Sequence, residues 1–268
     1  MTITIIMLTF ASEMKRNETI KNTSALPLVS VVTVCMNALE PLRFTLDNIA
    51  RQQYEPLEVV VVDGDSVDGT ADFLESHPQL TSRWISEPDG GIFDAMNKGV
   101  ALCTGEWIIF LNAGDGFAAD DVLPRIFAHA PEADVIYGDV MKMMSDGQCV
   151  MKVAEEPHNS HRMFFCHQSA LTRRDCLIEF PYDTQYRMSA DLKLYKQLLG
   201  ACKRFVHVPL AVACFDTGGV SNTHRGGGIR ENIKIVWECD GLTDKIRLLP
   251  RLYFQQMMCA LREKFRRR

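Results

Sequence analysis

Two short apolar runs that each stop on small residues and aspartates constrain this chain most. The first is LEVVVVDGDSVDGT, Leu57 to Thr70, and the second is GEWIIFLNAGD, Gly105 to Asp115. Nearly continuous apolar runs of this length read as strands buried on both faces. Strands of that kind belong to an open sheet covered by helices, which takes its ligands outside the carboxyl ends of its strands. Two clusters of Asp at that edge suggest a site for a nucleotide and a divalent metal.

The rest of the chain alternates in the same way. Ser30–Cys35, Leu57–Val62, Arg83–Ser86, Trp107–Leu111 and Asp134–Asp139 read as strands. Pro41 opens a helix with Leu42, Leu46 and Ile49 on one face, the first turn being where Pro is tolerated. A short helix follows Asp68-Gly69-Thr70 to about Ser76. Ile92, Ala95, Met96, Val100 and Cys103 share the face of a further helix over Gly91–Cys103. Asp120 and Asp121 start another, running to about Ala130. This alternation predicts an α/β fold with a mostly parallel central sheet flanked by helices.

After Gly138 the pattern changes. Val140–Met144 and Gln148–Val153 flank a Ser145-Asp146-Gly147 turn and read as a hairpin. A helix over Ala190–Leu199, short strands at Phe205–Val208 and Ala211–Phe215, and a glycine-rich loop from Gly218 to Gly228 follow, with a helix from about Ile229. Residues 1–27 read as a loosely ordered extension, 28–220 as the main domain, and 221–268 as the loop with basic amphipathic terminal helices.

Charge excludes a general nucleic-acid binder. The formal net charge is −5, and a phosphate-neutralising protein needs a basic face. The exception is Asp240–Arg268, where eight Lys/Arg stand against three Asp/Glu. No run of 18 apolar residues suggests a spanning helix. MTITIIMLTF lacks a preceding cationic segment and is not expected to be a signal peptide. Nine scattered cysteines, with no CxxC, read as reduced thiols and place the chain in the cytosol.

Taken in order, VSVVTVCMN, VVVVDGDSVDGT, SEPDGGIFDAMNKG, GEWIIFLNAGD and CHQSALTRRD resemble the successive signatures of family 2 glycosyltransferases. The resemblance spans about Val29 to Val220. It implies the GT-A fold, a Rossmann-like nucleotide-binding domain followed by an acceptor-side region, and a bacterial surface-polysaccharide or O-antigen role. It further implies an inverting hexosyltransferase. Such an enzyme moves a sugar from a nucleotide-diphosphate donor, a UDP-sugar, to a hydroxyl of a glycan or lipid-linked glycan acceptor.

The site residues follow from the matched positions. Asp63 matches the family Asp that contacts the nucleoside. Thr33, Asn37 and Asp65 fall in the same pocket, and Asp94, Asn97 and Lys98 face nucleotide and donor sugar. Asn112-Ala113-Gly114-Asp115 stands in the place of the family's metal-binding DxD motif. Asp115 is then the ligand of a hard divalent cation, Mg²⁺ or Mn²⁺, and Asn112 contacts the ribose or a metal-bound water. Asp191 matches the catalytic base, although a first-turn Asp equally serves as a simple helix cap. His167 and Gln168 resemble an acceptor-side motif, against the ordinary reading of a structural His. For Ile92, Met96 and Val100 the expected role is core packing.

The basic C-terminal segment suits either an anionic membrane surface on the inner face of the cell membrane or packing on the domain. Two other functions compete. A nucleotidyltransferase would carry a Gly-rich basic loop after the first strand, where this chain has CMNALEPLRF. A non-catalytic nucleotide-sugar-binding partner subunit is kept in play by Asn112.

Overall fold

The apolar runs form strands because both of their faces are covered. In the computed structural model, which describes residues 26–129, 132–144, 148–216 and 225–266, β1 (Val29–Cys35) is buried along its whole length. It pairs in parallel with β2 (Leu57–Asp63) on one side and β4 (Trp107–Phe110) on the other. β3 (Arg83–Ser86) extends β2 in parallel. The helices α1 (Leu39–Ala50), α2 (Thr70–Ser76) and α3 (Ile92–Leu102) alternate with these strands.

Beyond β4 the sheet changes character. β8 (Ala170–Arg173) lies antiparallel between β4 and β6 (Val135–Met143), and β9 (Phe205–Asp216) runs parallel to β6. β5 (Gly116–Phe117) pairs antiparallel with β9, and β7 (Cys149–Lys152) antiparallel with β6. The nine strands therefore make a mixed sheet in the order β3-β2-β1-β4-β8-β6-β9-β5, with β7 attached to β6. The expectation of a mostly parallel sheet holds for the first half. Strand β8 alters the second half, because it returns from an irregular segment instead of a helical crossover.

Helices α3, α5 (Arg174–Glu179) and α6 (Ala190–Gly200) enclose one core with one face of the sheet. Helices α1, α2 and α4 (Val122–His129) enclose the other. Ile92 departs from its expected place: it is 43% exposed, and Phe93 takes the buried position. The two strands expected at Phe205–Val208 and Ala211–Phe215 are one strand with a register shift opposite Tyr137–Val140. The break in pattern is Pro209, which has no N–H for the ladder.

α7 (Arg225–Cys239) starts four residues earlier than the expected Ile229, so the last glycines of the loop lie in its first turns. α8 (Leu242–Arg266) runs on through Pro250. These two helices share a small cluster of Ile233, Val236, Leu248, Leu249 and Leu252. The buried Lys196 ammonium on α6 bonds both carboxylate oxygens of Asp240, at 2.8 and 2.7 Å, and fastens the corner between α7 and α8 to the domain. Residues 1–25, the hairpin turn 145–147 and loop residues 218–224 lie outside the described residues.

One set of polar contacts closes the sheet. Thr45, Asn48 and Gln52 of α1 are buried beside the apolar stripe of Leu42, Leu46 and Ile49. Thr45 Oγ1 donates to Asp115 O (2.7 Å) and accepts from Gly114 N (2.9 Å). Asn48 donates to Phe117 O (3.1 Å) and accepts from Phe117 N (2.7 Å). Gln52 donates to Ala119 O (2.6 Å). Replacing Asn48 by Leu leaves Phe117 N buried without its partner and Phe117 O with only the weak Cys214 thiol donor. The expected loss is about 3 kcal/mol, read as a lower urea midpoint at unchanged slope.

Candidate active site

The carboxyl edge of β1, β2 and β4 carries three loops tied to one another by side chains. The first follows β2. Asp63 is wholly buried, and its carboxylate accepts from Ser66 N (3.0 Å), Ser66 Oγ and Ser86 Oγ (2.6 Å). Asn37, with a left-handed φ of 50°, donates its N–H to Ser66 Oγ (2.7 Å) and accepts from Val67 N (2.9 Å). Asp65 is exposed on this loop, also with a left-handed φ of 62°. Asp68 joins the starts of two helices, accepting from Thr70 Oγ1 (2.6 Å), Leu39 N (2.9 Å) and Thr70 N (3.2 Å), and the Thr70 hydroxyl first and then the Leu39 amide hold its carboxyl below the usual range. Asp63, Asn37 and Asp68 thus order the loop through internal bonds, while Asp65 faces solvent.

The second loop precedes α3 and touches the first at Gly64. A Cβ at that position would lie 2.6 Å from Asp89 Oδ2, so any larger residue there has to displace that carboxylate. Gly91 takes a φ of 122° just before the helix, a glycine conformation. Asp94 accepts from Gly90 N (2.9 Å), and Lys98 bonds Glu87 (2.8 Å) and Pro88 O (2.8 Å). The Asn97 amide donates to Tyr182 O (2.8 Å) and accepts from Tyr182 N (3.0 Å). In this structure these three side chains staple the loop to its surroundings. The buried Thr33, expected to line the pocket, sits two residues inside the end of β1, and its hydroxyl has no hydrogen-bond partner. It does not reach the open edge.

The third loop is the turn after β4. Asp115 N donates to Asn112 O (2.8 Å), and Asn112 N donates back to Asp115 Oδ2 (3.1 Å). Gln168 hydrogen-bonds the same carboxylate. Burial raises the Asp115 carboxyl to about 7 even though both bonds pull it down. Beside it, Asn112 Oδ1 is buried with no partner. A hard divalent cation needs oxygen ligands of this type and takes one or two carboxylates, with substrate phosphates and water completing the shell. Asp115 and Asn112 fit that chemistry. No group of three or more His, Cys, Asp or Glu at metal-ligand spacing occurs among the described residues, so the remaining ligands would come from the substrate.

Residues expected on the acceptor side divide. His167 lies in the interior: its Nε2 is 2.6 Å from Tyr182 Oη, its ring stacks on Phe110 at 5.2 Å, and burial lowers its pKa to about 4. It is a neutral core histidine. Gln168, the next residue, reaches Asp115. The turn Cys166–Gln168 also approaches the base candidate, since the Asp191 charge acts on Cys166 and on Tyr182. Asp191 is half-buried in the first turn of α6 and densely surrounded. Burial is the main cause that raises its carboxyl to about 6, and the Glu231 charge adds to it against bonds from the Leu192 and Asp191 amides. Glu231 of α7 itself caps α6, accepting from Arg187 N (3.0 Å), Met188 N (2.9 Å) and Ser189 N (2.9 Å).

Sequence reasoning missed Tyr182, Glu231 and the polar stripe of α1. The stripe alone left a signal: Thr45, Asn48 and Gln52 follow the helical period on the same side as the apolar residues. Glu231 and Tyr182 are distant in sequence from what they hold, and nothing local marks them.

A parallel α/β half with acidic loops at its carboxyl edge, joined to a mixed second half, is the architecture of the GT-A glycosyltransferases. The chain belongs to the family described as glycosyl transferase family 2, which it matches over residues 30–180. A PGL/p-HBAD biosynthesis glycosyltransferase of Mycobacterium tuberculosis is 34% identical over 214 residues, covering 74% of this chain and 81% of that relative. Among solved structures, S. aureus TarS 1-349 in complex with UDP superposes with a TM-score of 0.61 at 18% identity, over 80% of this chain and 66% of that one. The mannosyltransferase PcManGT of Pyrobaculum calidifontis, in complex with GDP-Man and Mn²⁺, superposes with a TM-score of 0.61 at 20% identity, over 87% and 72%. At those identities the likeness is one of fold. Among the described residues no helix is long and apolar enough to cross a membrane.

The interior role of His167 has a direct test. Tyr182→Phe strands a buried ring nitrogen and is expected to cost about 1–2 kcal/mol in chemical denaturation. It should leave the pH dependence of activity above pH 5 unchanged. A shift of that profile would place His167 in the chemistry.

Proposed function

We propose that the chain is an inverting glycosyltransferase that moves a sugar from a UDP-sugar to a hydroxyl of a glycan or lipid-linked glycan in bacterial surface-polysaccharide or glycolipid assembly. The observation that carries this reading is the buried Asp115 beside the partnerless Asn112 Oδ1 in the turn after β4, with a second carboxylate of raised pKa, Asp191, in the first turn of α6. Environments that shift acids in this way are expected where protons move or charge is neutralised. The name of the mycobacterial relative supports a role in glycolipid assembly, and the ligand in the TarS structure supports UDP as the nucleotide.

Transfer with inversion is one displacement. The acceptor oxygen forms its bond to the anomeric carbon as the bond from that carbon to the diphosphate oxygen breaks, and the hydroxyl proton goes to Asp191. A carboxylate with a pKa of about 6 is mostly ionised at neutral pH, yet basic enough to take that proton. Gln168 and the Asn112 amide orient Asp115. Asp65, exposed on the loop that Asp63 orders, is assigned with Asp63 to the nucleoside. Asp115 and Asn112 would hold Mg²⁺ or Mn²⁺, which neutralises charge on a departing diphosphate.

The surroundings of α8 fit an acceptor held in lipid. Leu242, Ile246, Tyr253, Phe254, Met257 and Leu261 are exposed on α8, Phe254 by 59%, on a helix that also carries Lys245, Arg247, Arg251 and Arg262. Apolar and cationic side chains together suit the cytoplasmic, anionic face of a membrane.

Asp191→Asn should lower kcat roughly 10²- to 10⁴-fold with donor affinity retained. The wild-type rate should rise as pH climbs through about 6 and then level, because the base works only after losing its proton. Turnover unaltered by Asp191→Asn rejects the base assignment. A chain that binds donor but turns nothing over, with or without Asp191, is a binding subunit. Asp115→Ala should remove the Mn²⁺-dependent part of donor binding in calorimetry. Vesicles of anionic phospholipid should sediment the protein, less so at high salt or in Phe254→Ser/Met257→Ser. Equal binding to zwitterionic vesicles would argue against the surface role of α8.

A further inference from the structure

Where the family's signature carries a second aspartate, this chain has the uncharged Asn112. A divalent cation in the turn after β4 would therefore have one protein carboxylate, that of Asp115. Two lysines lie on the neighbouring hairpin. Lys142 on β6 and Lys152 on β7 lie on one face of the hairpin, since Lys142 pairs with Val150 and Lys152 with Val140, two residues away along the ladder. Both are half-buried, and among the described residues neither has a carboxylate within ion-pair distance. The half-buried Lys98, Lys193 and Lys203 do have such partners in Glu87, Asp183 and Glu179, whereas the half-buried Lys245 rests on the Trp237 ring instead.

Register sets these lysines toward the site. Lys142 pairs with Phe215, and its ammonium lies 5.6 Å from the centre of that ring. β5 and β9 pair Gly116 with Cys214 and Phe117 with Ala213. Continued by one residue, that antiparallel register sets Asp115 opposite Phe215. On that extension Asp115 would stand at the end of the row that Phe215 and Lys142 form across β9 and β6. Lys152 Nζ is 3.7 Å from Cys166 Sγ, at the head of the turn whose Gln168 bonds Asp115. The charges of Lys152 and Lys142 both pull the Cys166 thiol down against its burial.

We propose that Lys142 and Lys152 bind the diphosphate of the nucleotide donor directly, supplying the charge compensation that Asn112 does not recruit through metal. This assignment rests on the glycosyl-transfer reading. A half-buried ammonium without a counter-ion is unfavourable in the free protein, and a phosphate oxygen satisfies both its charge and its donors. It follows that nucleoside diphosphate binding depends only partly on the divalent cation. The lysines discriminate diphosphate from nucleoside, and they act on ground state and leaving group alike.

The test is calorimetric titration of the full chain with UDP and with GDP, in Mn²⁺ and in EDTA. The variants are Lys142→Gln/Lys152→Gln and Lys142→Arg/Lys152→Arg, each checked by its thermal melt. Wild type is expected to keep measurable UDP affinity in EDTA. The glutamine pair should bind UDP at least tenfold more weakly in both buffers, with uridine affinity unchanged and a shallower salt dependence. The arginine pair should restore most of the loss. Wild-type affinity for the diphosphate that is matched by the glutamine pair overturns the lysine assignment and leaves the glycosyl-transfer reading standing. A wild type that binds neither diphosphate overturns both. A glutamine pair with normal UDP affinity but a raised KM for acceptor also overturns the assignment, in favour of an anionic acceptor.

Discussion

The buried polar stripe on α1 is the interaction on which the site depends. Thr45, Asn48 and Gln52 bond the backbone of Gly114, Asp115, Phe117 and Ala119. That segment leaves the parallel half of the sheet at β4 and enters β5 at its far edge. An irregular stretch has no ladder partners of its own, and every backbone group it buries needs one. The helix supplies them. By doing so it sets where Asp115 stands and brings β5 alongside β9, so one helix from the first half of the fold positions a residue and closes the second half.

Around this anchor most of the candidate residues are occupied by one another. Asn97 holds Tyr182, Tyr182 meets His167, and the following Gln168 reaches Asp115. Loops at the edge of a sheet are otherwise its least ordered part, and a rate-determining geometry needs them held within fractions of an ångström. Polar residues that resemble ligand contacts in the sequence thus do much of their work as internal supports. Two carboxylates remain with strongly raised pKa, and the cause is the same for both: burial exceeds the stabilisation that their few hydrogen bonds supply.

The first half of the fold was legible because its signals are local. β1, β2, β3 and β4 appear within one residue of their expected bounds, since a strand covered on both faces is an unbroken apolar run bounded by turn residues. α1, α2 and α6 were equally plain from their caps and periods. β8 has four residues and β5 two, too short for any period, and their pairing partners lie far along the chain. β9 was read as two strands because Pro209 interrupts the pattern, and only its long pairing with β6 makes it one. In the site, Asp115 and Asp191 could be chosen because carboxylates at a strand end and in a first helical turn are recognisable. Thr33 and His167 lie in the interior, a depth that residue type does not tell.

By itself the sequence determined the strand–helix alternation of the first half, the acidic character of the sheet edge and the family to which the chain belongs. Those properties reside in local apolar patterning and in the spacing of a few residues. Only the tertiary structure decided the mixed sheet, the capping of α6 by Glu231, the meeting of Gln168 with Asp115, and the pairing of Lys142 with Phe215. Each of these joins groups far apart in the chain, and their separation in space is set by strand register and helix packing, which no local stretch of residues encodes.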